Sequence, residues 1–346
     1  MKNLSEYKEN IHSCSKCGLC QAVCPIYKIT GNDCSVSRGQ FIMLRGFLKG
    51  DLKMSAKLNR YLDLCLKCGA CSKFCPSGID IVDIITSAKA EYFKHHPIEK
   101  LISFVQKYFI FGFGIKILSI FSKNIKSKKF DKKVIYFGGC SGKIKGNNAV
   151  VKLLNACNVE VITPDFSCCG IPYMVRGDVA SFEEAKKDFM NLVKESGITD
   201  IVTTCASCEK TIKKFSDEIN VKNIFEYIVE NNLKLKLKKK RTVTFHKPCN
   251  IDNFKDIERI LKSTENLEYK EMKDFDTCCG LNGVTKIGEY KILSKLFKNK
   301  HNNIKASGAK TVLTACLGCE AALNLFSFGQ YKVEDFTEFL VKNLSN

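Results

Sequence analysis

The spacing of apolar residues divides the chain into a helical first part and a mixed second part. Apolar clusters such as Phe41–Leu44 and Leu58–Leu66 have helical patterning. From residue 133 onward, short runs rich in β-branched residues alternate with amphipathic stretches. The predicted strands are Lys133–Phe137, Ile201–Thr204, Thr242–Phe245 and Thr311–Thr314, and the predicted helices include Phe182–Val193 and Lys291–Asn299. This alternation favours two α/β lobes with largely parallel sheets.

Two changes in composition predict where these parts begin and end. Residues 98–132 have an apolar half followed by a basic polar half, which is typical of a connector. The lysine-rich run Leu233–Arg241 is predicted to join the two lobes. We therefore expect an α+β multidomain protein with a helical domain at 1–97, a connector at 98–132, and α/β lobes at 133–240 and 241–346.

Eighteen of the 20 cysteines fall into two kinds of repeated motif. The first motif, C-x-x-C-x-x-C-x-x-x-C-P, occurs at Cys14–Pro25 and again at Cys65–Pro76. The second combines a single cysteine, a Cys-Cys-Gly triplet and a C-x-x-C pair, with offsets of 109 to 111 residues between its copies. The copies contain Cys140, Cys168, Cys169, Cys205 and Cys208, and then Cys249, Cys278, Cys279, Cys316 and Cys319. Such constant offsets indicate one supersecondary unit used twice.

Composition alone would allow these cysteines to form either disulfides or metal sites. The first residues lack the apolar core and cleavage site of a signal peptide, so we expect a reducing, cytoplasmic location in which thiols stay available for metals. The formal charge of +19 suggests a polyanionic partner. Only six residues are arginine, however, and lysine-rich runs are poorly suited to reading bases. We expect an acidic redox partner or membrane face and no nucleic acid.

The first motif is typical of [4Fe–4S] ferredoxins, because cysteines three residues apart can wrap three thiolates around one cubane. In two-cluster ferredoxins the fourth cysteine of each run ligates the other cluster. One cubane is then predicted on Cys14, Cys17, Cys20 and Cys75, and the other on Cys65, Cys68, Cys71 and Cys24. Structural zinc, which prefers separated C-x-x-C pairs, is the weaker alternative. A zinc-stabilised nucleic-acid-binding protein is the matching function hypothesis.

The second motif offers five thiols per copy, which is one more than zinc or a cubane normally uses. The glycine after the vicinal cysteines permits close approach of the backbone to a cluster. Each C-x-x-C follows a predicted strand and opens a predicted helix, where N–H groups stabilise thiolate charge.

These motifs and their order resemble the CCG-domain iron–sulfur oxidoreductases over most of the chain. That family includes the D-type subunit of heterodisulfide reductase, the glycolate oxidase iron–sulfur subunit and the C-type subunit of anaerobic glycerol-3-phosphate dehydrogenase. The resemblance implies up to two noncubane [4Fe–4S] clusters, one on each five-cysteine set. The family often has Pro-Cys-His at the start of the second copy, whereas this chain has Pro248-Cys249-Asn250. His246 or Lys247 is then the alternative proton donor, although a structural role for His246 at a strand end is favoured.

No glycine-rich fingerprint in the chain predicts a nucleotide site, so we expect no flavin or nicotinamide on it. We predict an electron-transfer subunit that relays single electrons between the cubanes and the CCG-type clusters, with a flavoprotein dehydrogenase or another redox subunit as partner. The alternative is a catalytic subunit that cleaves a disulfide at noncubane clusters. No catalytic residue is identified.

Three features have no assigned role. Cys157 lies in an apolar helical stretch and is predicted to be a small buried residue, whereas nothing assigns a function to Cys34. The aromatic segment Tyr108–Phe121 has two open interpretations, a packing helix or a surface that docks onto a membrane subunit or the inner face of a membrane. Lysines and glycines interrupt Ile98–Phe121, so it does not predict a transmembrane helix.

Overall fold

Capping residues divide the first part of the chain into short helices. The computed structural model describes residues 2–165, 168–251, 253–280 and 289–345. Ser55 and Asp80 each accept N–H hydrogen bonds at the start of a helix, and Gly50, at φ +86°, follows the end of another. The helices are α1 Lys8–His12, α2 Leu19–Val23, α3 Pro25–Thr30, α4 Ser37–Lys49, α5 Ala56–Asp63, α6 Ala70–Lys73, α7 Ile81–His95 and α8 Pro97–Val105.

The first compact unit of the chain consists of the residues up to Phe104 together with Pro172–Phe182 and Thr277–Lys300. Its core contains Phe41, Leu44 and Leu62 from the two stretches with helical patterning, along with Ile11 and Ile85. This packing confirms the predicted helical character of the first part, because burial of one apolar face is what stabilises such short helices.

The second part of the chain contains two parallel four-stranded sheets with the same strand order. The strands are β1 Lys132–Tyr136, β2 Val159–Ile162, β3 Asp200–Thr203, β4 Asn220–Asn223, β5 Lys236–Phe245, β6 Glu265–Tyr269, β7 Thr311–Thr314 and β8 Lys332–Asp335. The first sheet has the order β2-β1-β3-β4 and the second β6-β5-β7-β8, with all pairs parallel. The matching order confirms the duplication, and all four predicted strands are present. We call the two halves lobe 1 and lobe 2.

The predicted linker at Leu233–Arg241 is wrong for most of its length. The structure places residues from Lys236 onward in β5, which pairs with β6 and β7. Leu235 and Leu237 are buried and the lysines on either side of each are exposed, so the start of the run has the period-two alternation of a strand with one buried face. The alternation stops at 238–241, where all residues are exposed and the register with β6 shifts.

Helices connect the strands of the two lobes. They are α9 Ile115–Leu118, α10 Gly139–Lys145, α11 Asn148–Ala156, α12 Ile171–Arg176, α13 Val179–Ser196, α14 Ala206–Ile212, α15 Ile224–Glu230, α16 Lys255–Ser263, α17 Tyr290–Ala306, α18 Leu317–Leu325 and α19 Phe336–Asn343. The second compact unit consists of Val105–Ile171, Glu183–Asp276 and the residues from His301 onward. One continuous apolar core serves both of its sheets, with Val134 and Val202 from lobe 1 and Phe245 and Leu313 from lobe 2.

The predicted connector is partly helical. After α8, the wide π-helical turns of Gln106–Gly114 lead into α9 and a short 3₁₀ turn at Ser119–Phe121. Within the described residues, no helix is both long enough and apolar enough to cross a bilayer.

Candidate metal centres

Two loops with the same backbone geometry carry six of the eight cysteines of the first motif. Both loops have the sequence C-x-K-C-G-x-C, at Cys14–Cys20 and Cys65–Cys71. Lys16 and Gly18 have φ values of 58° and 87°, and the equivalent Lys67 and Gly69 have values of 53° and 75°. Left-handed turns of this kind aim backbone N–H groups into the loop, where they favour negative charge. The Lys67 N–H donates to Cys65 Sγ at 3.4 Å.

The predicted ligands of the first cubane line one pocket in the first compact unit. These residues are Cys14, Cys17, Cys20 and Cys75, and Cys71 also borders the pocket. Three of the four come from the first loop, whereas Cys75 belongs to the second motif. The fold therefore brings the fourth cysteine of one motif to the loop of the other, which is the arrangement that two-cluster ferredoxins use.

The predicted ligands of the second cubane also lie together. Cys71 interacts electrostatically with Cys65, Cys68 and Cys24, so Cys24 approaches the loop of the second motif. Burial, with smaller contributions from the neighbouring Cys65 and Cys68, raises the pKa of Cys24 to about 11, while the Tyr27 N–H that donates to its sulfur at 3.5 Å acts in the opposite direction. Without metal the Cys24 thiol stays protonated at neutral pH, and metal binding would have to displace its proton.

The two sites differ in the surroundings of their equivalent lysines. Lys16 is exposed, whereas Lys67 is buried and donates from Nζ to the Val175 carbonyl at 3.0 Å. Burial lowers the pKa of Lys67 to about 8, and the nearby Cys65 opposes that shift. Sequence reasoning missed this cation beside the second set because lysine is seldom buried. The sequence Cys-x-Lys-Cys, which occurs in both loops, was the signal that could have pointed to this lysine.

Both sets fit a [4Fe–4S] cubane in their donor chemistry. Each offers four cysteine sulfurs, and each of these cysteines is free of disulfides. Cys17 is exposed, whereas burial raises the pKa of Cys65. The first site is therefore the more accessible to solvent, and the second is the more deeply buried.

In lobe 1 the ends of adjacent strands bring the five cysteines together. Cys140 follows β1 and lies in the first turn of α10, while Cys205 follows β3 and occupies the N-cap of α14, with Cys208 in its first turn. Since β1 and β3 are neighbours in a parallel sheet, their carboxyl ends meet at one edge. Cys168 and Cys169 come directly before α12.

The five sulfurs of lobe 1 form a continuous chain of contacts. Hydrogen bonds join Cys140 to Cys168, Cys168 to Cys169, Cys169 to Cys208, and Cys208 to Cys205. Contacts from Cys140 and Cys169 hold the pKa of Cys168 well below its usual range, with support from the Gly170 N–H and Lys143. The hydrogen bonds from Cys169 and Cys205 raise the pKa of Cys208. Five soft donors joined in one chain of contacts fit an iron–sulfur cluster that uses more than four cysteines.

Two glycines of lobe 1 leave space beside these sulfurs. A Cβ at Gly139, where φ is +50°, would lie 3.3 Å from Cys208 Sγ. Gly170 has a φ of 80°, and its N–H donates to Cys168 Sγ at 3.4 Å. The backbone can therefore approach the sulfurs closely, as the Cys-Cys-Gly triplet predicts.

Lobe 2 repeats the local geometry of these loops. Cys316 occupies the N-cap of α18 and accepts hydrogen bonds from Cys319, and Gly280, at φ +81°, donates its N–H to Cys278 Sγ at 3.5 Å. Four cysteines of this set are buried, and Cys249 is half-buried. Cys278 and Cys279 belong to the first compact unit, and Cys249, Cys316 and Cys319 belong to the second.

The C-x-x-C loops of the two lobes contact each other. Cys205 and Cys316, which occupy equivalent positions in the duplication, share a sulfur–sulfur hydrogen bond. Ser207 Oγ lies 3.7 Å from Cys316 Sγ, and the Ala206 N–H donates to the Ala315 carbonyl at 3.0 Å. The spacing of the motifs gave no sign of this contact, because it joins residues more than a hundred positions apart.

The remaining candidate residues are Asn250, His246 and Cys157. Asn250, where the family often has histidine, donates from Nδ2 to Ser207 Oγ at 2.9 Å. His246 directly follows β5 and is fully buried, and its backbone N–H donates to the Leu313 carbonyl at 2.8 Å. Cys157 is buried in the core as predicted, and burial raises its pKa to about 11.

Comparison with protein families identifies two kinds of domain in the chain. Residues 10–79 match the 4Fe-4S dicluster domain family, and residues 134–213 and 243–324 each match the cysteine-rich domain family called CCG. Together the matches contain every cysteine of the two repeated motifs.

Several similar proteins align with nearly the whole chain. A probable glycolate oxidase iron-sulfur subunit from Bacillus subtilis is 22% identical, with 93% of this chain and 91% of that protein covered. The D-type subunit of the heterodisulfide reductase from Methanosarcina acetivorans is 24% identical, with coverage of 93% and 90%. The B-type subunit of the fumarate reductase (CoM/CoB) from Methanothermobacter marburgensis is 26% identical, with coverage of 96% and 72%.

One solved structure shares the fold. The crystal structure of a hypothetical protein from Helicobacter pylori superposes with a TM-score of 0.55 and 12% sequence identity, covering 90% of this chain and 68% of that one. The chain is thus an iron–sulfur protein by its domains, and its relatives are subunits of oxidoreductases.

Proposed function

This chain belongs to the iron–sulfur proteins that join a 4Fe-4S dicluster domain to CCG domains, and from that premise we propose that it is a single-electron relay. Two cubanes are proposed in the first part, on Cys14, Cys17, Cys20 and Cys75 and on Cys65, Cys68, Cys71 and Cys24. CCG-type clusters are proposed on the two five-cysteine sets. Electrons pass between the cubanes and the CCG-type clusters, in either direction according to the partners.

One observation carries this proposal: the last cysteine of each motif lies beside the loop of the other motif. Cys75 lines the pocket of the first loop, and Cys24 interacts with the cysteines of the second loop. Because Cys20 and Cys24 lie four residues apart and are assigned to different sites, the two sites must be close to each other. Short separation is the first requirement for rapid transfer of single electrons.

The chain gives the two proposed cubane sites different surroundings. When bound, [4Fe–4S] clusters accept and release single electrons, at potentials set by charge, hydrogen bonds and solvent exposure. The Lys67 N–H donates to Cys65, and the buried Lys67 ammonium adds positive charge beside the second set. Positive charge favours the reduced, more negative state, so we expect the second site to have the higher potential.

Iron and sulfide analysis of anaerobically purified protein, with electron paramagnetic resonance during a redox titration, tests this proposal. The cubanes alone require about eight irons and eight sulfides per chain, and CCG-type clusters add to that number. Two cubane signals with different potentials are expected. Zinc without iron or sulfide would overturn the proposal.

Matched substitutions test the exchange of ligands. Cys75→Ser is expected to weaken the cluster of the first loop, and Cys24→Ser that of the second, although each residue is distant in sequence from the loop it serves. Cys34→Ser is the control, since Cys34 belongs to neither set. If each substitution instead removes the signal of its own loop, the assignment of ligands is wrong.

Cleavage of a disulfide is the second candidate function. The relatives include heterodisulfide reductase subunits, and lobe 1 joins all five of its cysteines in one chain of contacts. Reducing a disulfide to two thiols consumes two electrons and two protons. The first part of the chain would deliver those electrons one at a time, so this activity is compatible with the relay.

The second candidate is tested with holo-protein, an artificial one-electron donor and a panel of disulfides. Formation of two thiols per disulfide, lost in Cys169→Ala and Cys279→Ala, would support it. Absence of thiol formation with every disulfide, in protein with full iron content, would leave only the relay.

We propose a flavoprotein dehydrogenase or another redox subunit as the partner, because the relatives are named as subunits of a glycolate oxidase or a fumarate reductase. A cytoplasmic location fits the twenty free thiols. Purification of the native protein without any associated redox subunit would contradict the proposed partner.

A further inference from the structure

The first compact unit contains a cleft of about 590 Å³ that the proposed relay does not use. Its walls come from three segments, within residues 29–35, 60–64 and 289–295, and all three belong to that unit. A volume of this size is in the range of pockets that bind small organic molecules. The cleft therefore has room for a ligand with a carbon skeleton.

The walls of this cleft carry hydrogen-bond donors that no described residue uses. Arg60, Lys291 and Lys295 contribute cationic groups, while Asn32 contributes an amide and Tyr61 a hydroxyl. None of the described residues accepts a hydrogen bond from either lysine ammonium, from the Asn32 side-chain amide or from the Tyr61 hydroxyl. Spare donors and cations around one cleft favour an anionic ligand, because its oxygens accept from several of them at once.

The single carboxylate among the described lining residues holds one of these cations in place. Glu289 accepts a hydrogen bond from Arg60 Nε, and its side chain is only 10% exposed. The Arg60 side chain is 67% exposed, so its two Nη groups remain available to a ligand. Three cations and one carboxylate leave the lining of the cleft with a net formal charge of +2.

Apolar side chains accompany the charged groups of the cleft. Ile29, Leu64 and Ile292 also line it. Arg60 lies on α5, whereas Lys291 and Lys295 lie one turn apart on α17. A ligand with two anionic groups joined by a short carbon skeleton would satisfy the cations of both helices and contact the apolar walls.

We propose that this cleft binds a small organic dicarboxylate. One carboxylate accepts from the free Nη groups of Arg60, and the other accepts from the ammonium groups of Lys291 and Lys295. The Asn32 amide and the Tyr61 hydroxyl donate to the same oxygens, and the carbon skeleton lies against the apolar side chains. Two negative charges match the net charge of the lining.

The position of the cleft connects the binding of this ligand to the second cubane site. Leu64 directly precedes Cys65, and Ile29 lies in α3, which begins directly after Cys24. Negative charge beside a cluster disfavours its reduced, more negative state. We therefore expect the dicarboxylate to lower the potential of the second cubane and reduction to weaken its binding in return. This link rests on the proposed function, whereas the binding site itself does not.

Isothermal titration calorimetry of the anaerobic holo-protein with succinate tests the site. Butyrate has one carboxylate and succinamide has none on the same four-carbon chain, so they separate the effect of charge from that of shape. We expect a Kd of about 1 mM or tighter for succinate, weakened by salt, and binding at least about tenfold weaker for butyrate. Absence of succinate binding, or equal binding of succinate and butyrate, would overturn the proposal. Tighter binding of ethyl phosphate than of succinate would overturn the assignment of two separate anionic groups.

A matched pair of variants locates the binding. Lys291→Ala with Lys295→Ala is expected to weaken succinate binding at least about tenfold. The control, Lys187→Ala with Lys194→Ala, removes the same charge from two exposed lysines of α13 that do not line the cleft. Iron content is expected to stay unchanged in both. Equal losses of succinate binding in the two variants would overturn the proposal.

Redox titration with electron paramagnetic resonance tests the link to the cluster. Saturating succinate is expected to lower the potential of the cubane whose signal Cys24→Ser weakens, and to leave the other cubane unchanged. The shift should be lost in Lys291→Ala with Lys295→Ala. Binding of succinate without any change in potential would overturn the link. Absence of cubane signals would contradict the proposed relay, and the calorimetry would still decide the site.

Discussion

The two lobes share the features that position cysteines and differ in the residues around them. Both sheets have the same strand order, and both Cys-Cys-Gly turns have a glycine at positive φ whose N–H donates to the first sulfur. The residue before the first cysteine is Gly139 in lobe 1 but Pro248 in lobe 2. The two lobes have therefore kept the strand order and the turns that position the cysteines, while the residues around each cysteine set have diverged.

A second difference lies at equivalent helix starts. In lobe 1, Asn223 caps α15 and also donates to Glu209 at 3.2 Å. In lobe 2, Asp335 caps α19, and burial raises its pKa to about 6. Lys145 lowers that pKa and Glu320 raises it. One lobe uses a neutral amide where the other holds a buried carboxylate beside a second acid.

Removal of one cysteine from each lobe gives the largest expected effect. If each lobe holds its own cluster, Cys169→Ala and Cys279→Ala each lower the content by about four irons and four sulfides per chain. Metal analysis measures this, and Cys157→Ala, a buried cysteine outside both sets, is the control. A loss in only one variant would show that the lobes are not equivalent, and no loss in either would exclude CCG-type clusters at these residues.

The space beside Cys208 is the next difference to test. Gly139→Ala places a Cβ 3.3 Å from Cys208 Sγ at a φ of +50°, where an L-residue is strained. We expect a loss of about 1–2 kcal/mol in the free energy of unfolding and weaker iron retention. Gly197→Ala has a similar φ of +66° with nothing within 4 Å, so it isolates the backbone cost. Equal urea midpoints and equal iron contents in the two variants would show that the close approach has no role.

Of the two helix caps, only Asp335 is expected to make stability depend on pH. Asp335 has a pKa of about 6 in the folded state, above its ordinary value of 3.8, so the folded state binds its proton more tightly. Its carboxylate then destabilises the fold fully above pH 6, and the penalty disappears as the pH falls towards 4. Asp335→Asn, which copies lobe 1, is expected to stabilise the metal-free protein by about 1–2 kcal/mol at neutral pH.

Urea unfolding at pH 5 and pH 7.5 measures this effect. The gain from Asp335→Asn is expected to be larger at pH 7.5. The reciprocal Asn223→Asp places a carboxylate beside Glu209 and is expected to destabilise lobe 1. A loss of stability in Asp335→Asn at pH 7.5 would mean that Lys145 compensates the buried charge.

The sequence predicted the two lobes and their cysteine motifs better than it predicted the surroundings of those cysteines. The constant offsets and β-branched runs identified both lobes, because strand periodicity and duplication are local or repeated signals. The strand β5 was missed at its start, since the lysines of Leu233–Arg241 obscured the alternation of Leu233, Leu235 and Leu237. The contact between Cys205 and Cys316 depends on packing between lobes. The burial of Lys67 likewise follows from tertiary structure that local pattern does not encode.

The contact between equivalent helices of the two lobes gives the smallest expected effect. Phe225 and Phe336 lie near the starts of α15 and α19, are separated by the same offset as Cys205 and Cys316, and stack with ring centroids 5.0 Å apart. Both rings are buried, so we expect Phe225→Leu and Phe336→Leu to cost about 1 kcal/mol each. Their coupling in a double-mutant cycle is expected to be about 0.5–1 kcal/mol, because each substitution already removes the ring contact. Strictly additive losses would mean that the lobes pack independently here, and that the stacked pair does not stabilise the interface that also brings Cys205 to Cys316.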